Sequence, residues 1–79
     1  MSDLEKYNEV FVKCFRIEVS SLSPSFSIEE VDEWDSLAHM MLVGGLEEVF
    51  DVMFDADDII ELSSYENGKT VLGKYGIEV

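Results

Sequence analysis

Apolar residues recur at three- and four-residue steps in this chain, and no stretch sustains an alternation of apolar and polar residues. Steps of three and four place side chains on one helix face, whereas alternation would mark half-buried strands. Leu4, Tyr7, Phe11, Cys14 and Phe15 form such a stripe. The chain therefore reads as all-α. At 79 residues it is a single domain, residues 1–79, with a small core. Its hydrophobic content of 47% is too high for a disordered tail. No apolar run approaches the roughly 20 residues of a membrane helix.

The spacing predicts a first helix from Asp3 to about Val19, capped by Ser2 or Asp3. Ser20 to Ser27, with Pro24, reads as loop. Phe26, Ile28, Val31 and Trp34 are expected to anchor a long connection to the core. A second helix should run from Asp35-Ser36 to about Phe50, with Asp35 as N-cap and a core stripe of Leu42, Val43, Leu46, Val49 and Phe50. Gly44-Gly45 inside it costs about 1 kcal/mol per glycine relative to Ala, which fits either close approach of a backbone or ligand or simple tolerance of the pair. A short helix is expected near Ala56 to Glu61, capped by Asp55, with Ile59, Ile60 and Leu62 facing inward. A last helix should begin at Ser63 or Ser64. Ser63 and Glu66 fit a capping box, Val71, Leu72 and Tyr75 face the core, and Gly76 ends the helix. Asn67-Gly68 is a turn signal within it. The architecture expected is a small bundle of three main helices and one short one.

Charge narrows the partners. Five Lys+Arg against 18 Asp+Glu leave a net charge of −13. Such a surface repels phosphate backbones and anionic lipid, so neither nucleic-acid binding nor membrane-surface binding is expected, and it attracts basic protein surfaces or cations. One Cys excludes an internal disulfide and any multi-Cys metal site. The acidic start of the chain lacks the apolar stretch of a signal peptide, so a cytoplasmic protein is expected; a monomer is expected separately. Cys14, on the apolar stripe, reads as a core residue. His39, three residues after Ser36, lacks the orienting acid and oxyanion hole of a hydrolase and reads as a surface or rim residue. Asp55, Asp57, Asp58 and Glu61 lack the glycine and spacing of a calcium loop, and no dedicated metal site is expected.

Trp34-Asp35-Ser36-Leu37 is the focus. A serine just after a capping Asp sits where backbone N–H groups and the helix dipole favour negative charge, so a phosphorylated or phosphodiester-linked serine gains more there than a free hydroxyl. On local physics alone Ser36 reads first as a second capping residue. Asp35-Ser36-Leu37, followed by Leu42-Val43, Leu46-Glu47-Glu48, Phe50, Ile59-Ile60 and Leu62-Ser63-Ser64, resembles the acyl carrier protein family over nearly the whole chain. The resemblance implies a four-helix bundle that is not an enzyme. Ser36 would carry 4′-phosphopantetheine, flanked by Asp35 and Leu37, and the thiol of that arm would hold acyl groups as thioesters. The implied partners are a phosphopantetheinyl transferase, a ligase or transferase that loads the thiol, and enzymes with basic docking patches that consume the acyl group. Glu47, Glu48 and Asp51 would meet those basic patches, with Leu37 and Met41 as apolar contacts. Met41 can equally be half-buried against the third helix. Uncharged Ala38, Met41 and Val49 depart from the family's more acidic second helix and speak against general fatty acid biosynthesis, and Trp34 before Asp35-Ser36-Leu37 with that uncharged helix start resembles stand-alone carriers of specialised pathways, such as polysaccharide or secondary-metabolite assembly. A peptidyl or aminoacyl carrier, a degenerate carrier that only binds partners and an acidic calcium-responsive binding module are the alternatives.

Overall fold

A computed structural model describes residues 2–79 and is all-α. Helix α1 spans Asp3–Phe15, α2 Ser36–Phe50, α3 Ala56–Glu61 and α4 Tyr65–Gly73, with a 3-10 turn at Val19–Ser21. No strand occurs among the described residues; an isolated antiparallel bridge pairs Ser27 with Ser64.

Ser2 caps α1 in a full capping box: its hydroxyl accepts from the Glu5 amide at 3.1 Å, and the Glu5 carboxylate accepts from the Ser2 amide. The helix stops four residues earlier than its apolar spacing suggests, because Arg16 adopts a left-handed conformation (φ 55°). That reversal lets Ile17 fold back onto the core. Tyr7, Val10, Phe11 and Phe15 are buried, but Leu4 at the helix start is exposed.

Six aromatic rings fill the centre. Phe11 meets Tyr7, Phe26, Trp34 and Tyr65 edge-on, at centroid separations of 5.0–6.0 Å. Phe15 completes the group against Phe26 and Trp34. Such pairs contribute about 0.5–1.5 kcal/mol each beyond area burial. Phe26 and Trp34 thus anchor the connection 22–35 as expected, and Val31 is partly buried. Ile28 is not an anchor. Its side chain is exposed while its amide donates to Ser63 O at 2.9 Å, so backbone bonding does the holding there.

Helix α4 touches α1 through Tyr7, whose hydroxyl donates to Tyr65 O at 2.5 Å. A Cβ on Gly68 would lie 2.1 Å from that hydroxyl, so the Asn67-Gly68 pair is no turn; the glycine clears space for Tyr7 and the helix runs through it. Burial, then the nearby Tyr65 and Glu66, pushes the Tyr7 hydroxyl far above its ordinary pKa. Ser64, not Ser63 with Glu66, caps α4, its hydroxyl accepting from the Asn67 amide at 2.9 Å. Ser63 accepts from the Asn67 side chain instead. The helix ends at Gly73 rather than Gly76, and Gly76 follows in the left-handed region at φ 80°. Val71 and Leu72 are fully buried and Tyr75 partly.

Two further expectations fail on exposure. Val49 lies outside the α2 core stripe, which consists of Leu42, Val43 and Leu46 with Phe50 half-buried. On α3, Ile59 is partly and Leu62 fully buried, but Ile60 is 77% exposed and Asp58 turns inward instead. The Asp58 carboxylate accepts from the Tyr75 hydroxyl and from Lys74 Nζ at 3.2 Å, and Lys74 also reaches Glu61 at 2.6 Å. A six-residue helix has little stability of its own, and this cluster ties α3 to the segment after α4.

Candidate functional site

Asp35 ends the long connection in an extended conformation, and its Oδ1 accepts from the Ala38 amide at 2.8 Å. Its carbonyl accepts from the His39 amide at 2.9 Å. Ser36 is the first residue of α2 and is exposed. Its amide and that of Leu37 belong to the first helical turn, where no carbonyl of the preceding turn exists to accept them. The Ser36 hydroxyl therefore stands beside two outward-pointing donors at the positive end of a 15-residue helix. That donor set suits the phosphodiester of a 4′-phosphopantetheine on Ser36.

Leu37 is 72% and Met41 58% exposed, so Met41 is not held against α3. Met40, which the sequence does not single out, is exposed beside them, and Ile60 projects from α3. Gly44 extends the same outer surface of α2, with nothing within 4 Å of the position its Cβ would take. Gly45 is different: a Cβ there would lie 2.9 Å from Val10 Cγ1, so this is the close approach of α1 that the glycine pair suggests.

Between α1 and α2 lies an open groove of about 520 Å³. Val10, Cys14, Met41, Gly45 and Val49 line it, with Glu48 and the Lys13–Glu9 pair (2.8 Å) at its rim. The Cys14 thiol donates to Ala38 O at 3.4 Å. Burial, and then the negative charge of Asp35, raises its pKa, so it is a poor nucleophile.

The acids of α2 separate in role. Glu48 is exposed. Glu47 is half-buried, and its Oε2 accepts from the Phe54 amide at 2.8 Å, so it holds the α2–α3 link before it can meet any partner. Asp51 caps the C-terminus of α2 in the left-handed region (φ 53°), with its side chain in solvent. Asp35, Ser36 and Leu37 are thus together, while Glu47 and Asp51 lie roughly 16–22 Å along the helix from Ser36. Asp58 and Glu61 are already engaged by Lys74, and among the described residues no cluster of His, Cys, Asp or Glu could hold a metal ion.

His39 is not a rim residue. It is half-buried, with both ring nitrogens bonded: Nδ1 lies 2.9 Å from Trp34 Nε1, and Nε2 lies 2.8 Å from Ile59 O. The five-residue step from Trp34 to His39 across a helix cap was the available signal.

No protein-family model, curated protein or solved structure matches the chain. Among the described residues no helix is long and apolar enough to cross a membrane.

Proposed function

We propose that the chain is a carrier protein that holds acyl groups as thioesters on a 4′-phosphopantetheine attached to Ser36. The observation that carries this reading is the setting of Ser36: an exposed hydroxyl, first in a capped helix, beside an uncovered apolar strip. The pantetheine thiol supplies the thioester chemistry when attached. The chain's own residues present and position. Asp35 fixes the helix start by taking the Ala38 amide, which leaves the Ser36 and Leu37 amides to face a phosphodiester. Leu37, Met40 and Met41 offer an adaptable apolar contact next to the hydroxyl. Glu48 and Asp51 supply negative charge for basic patches of the transferase and of the loading and consuming enzymes. Charge-steered docking of this kind is fast and salt-sensitive, which suits a shuttle that must leave each enzyme quickly. A specialised pathway, a monomeric state and a cytoplasmic location belong to this proposal.

The test is incubation with a broad-specificity phosphopantetheinyl transferase and coenzyme A, read by intact mass. A gain of one phosphopantetheine on the wild type and none on Ser36→Ala is expected. An unmodified wild type, or modification persisting in Ser36→Ala, would overturn the reading. The cargo mass on protein from its native host separates an acyl from an aminoacyl carrier.

A further inference from the structure

The Ser36 hydroxyl has no bonded neighbour of its own among the described side chains, so its place in space is set by the residues around it. Trp34 is 3% exposed and packs on Phe11, Phe15 and Phe26. Its indole N–H can only donate, and a buried donor without an acceptor is costly. The acceptor is His39 Nδ1, with the two rings stacked at 28°. An accepting Nδ1 puts the ring proton on Nε2, which donates to Ile59 O. The other tautomer would set two donors face to face at Trp34 and two acceptors face to face at Ile59. Ile59 O is itself an orphan: in a longer helix the Ser63 amide would take it, but that amide donates to Glu61 O at 2.7 Å. One imidazole therefore caps the end of α3 and satisfies the buried indole. The His39 backbone reaches back as well, its amide donating to Asp35 O.

We propose that His39 is the positioning residue of the Ser36 turn, clasping Trp34 on one side and α3 on the other so that the hydroxyl is presented in one fixed geometry. The proposal rests on the reading of Ser36 as the attachment point. The hydrogen bonds of the His39 ring go to Trp34 and Ile59 O, and none goes to the Ser36 hydroxyl or to Leu37, Met40, Met41 or Glu48 on the proposed docking surface. Its loss should therefore slow the transfer step without weakening capture by the transferase.

Three variants separate the two arms of the clasp. His39→Phe keeps a ring and loses both bonds. His39→Asn places an amide oxygen near the Nδ1 position and can still accept from Trp34. His39→Gln reaches toward Ile59 O and leaves the indole unpaired. Phosphopantetheine transfer to the full chain is measured well below each melting temperature, with circular dichroism confirming the fold. His39→Phe, which loses both bonds, should lower kcat at least roughly fivefold with KM unchanged, fivefold being about the change that one net hydrogen bond gives. His39→Asn should recover most of that loss and His39→Gln little. Should the Phe variant not fold, the Asn and Gln pair carries the same test. Wild-type kcat in both Phe and Gln variants, a loss confined to KM, or equal kcat for Asn and Gln would overturn the proposal. The Trp34 indole N–H, followed by NMR, tests the clasp without any transferase: slow solvent exchange in wild type and Asn, fast in Gln and Phe. Fast exchange in the wild type removes the clasp whatever happens at Ser36. An unmodified wild type with slow indole exchange removes the attachment reading instead.

Discussion

Gly68 and Gly44 both lie inside unbroken helices, yet their surroundings are opposite. Gly68 is buried where α4 meets α1, and the Tyr7 hydroxyl occupies the space a Cβ would need. Gly44 is on the outer face of α2 and meets nothing. The first glycine is explained by the chain's own packing. The second exposes helix backbone at a cost of about 1 kcal/mol relative to Ala with no compensation inside the molecule. The α1–α4 contact is thus filled by this chain, whereas the outer face of α2, from Leu37 through Met40 and Met41 to Gly44, is left open.

The largest effect should come from filling the closed side. Gly68→Ala forces Tyr7 off its bond to Tyr65 O, and overpacking together with the stranded hydroxyl should cost about 2–4 kcal/mol in urea unfolding. Near-wild-type stability would mean that the two glycines do not differ as described.

Next comes acid sensitivity of the α3 clamp. The Tyr75 hydroxyl and then Lys74 hold the Asp58 carboxyl below its ordinary value of 3.8, against the opposing effect of burial. A carboxyl depressed in the folded state adds stability above the unfolded value, and that stability is lost as pH falls through the folded one. Melting temperature should therefore drop more steeply below about pH 4 in the wild type than in Asp58→Asn. Identical acid limbs would show the clamp to be idle.

Glu47 tests which side of the comparison it belongs to. Glu47→Ala should cost about 1–2 kcal/mol, because the Phe54 amide loses its acceptor. Glu48→Lys should change stability by less than about 0.5 kcal/mol and act on docking instead, slowing association at low salt. Equal stability of the two variants would return Glu47 to the open face. The smallest effect sharpens the comparison most. Gly44→Ala should raise stability by about 0.5–1 kcal/mol while raising KM for the transferase. A gain in stability with unchanged KM would mean that no partner comes close at Gly44.

Much of the fold was legible because apolar spacing and caps act locally. Asp35 starts α2 at the residue the sequence names, and the bounds of α2 and α3 agree with the expectation. The failures are those that local pattern cannot decide. Arg16 ends α1 by a backbone reversal that no glycine announces. Asp58 is buried and Ile60 exposed because Lys74 and Tyr75, distant in sequence, reward the acid. Around the candidate site, Asp35, Ser36 and Leu37 were readable, since capping chemistry is written in neighbouring residues. The double bonding of His39 was not, because Ile59 O becomes available only through the geometry of the α3–α4 link.

NMR titration of apo Ser36→Ala with the transferase asks most directly whether the uncovered face of α2 is the working face, since the variant can bind but cannot turn over. Shift changes should cluster on Leu37, Met40, Met41, Gly44 and Glu48 and spare the α1–α4 contact around Tyr7 and Gly68. Changes centred instead on the acidic run Asp55 to Glu61, with the outer face of α2 silent, would contradict it.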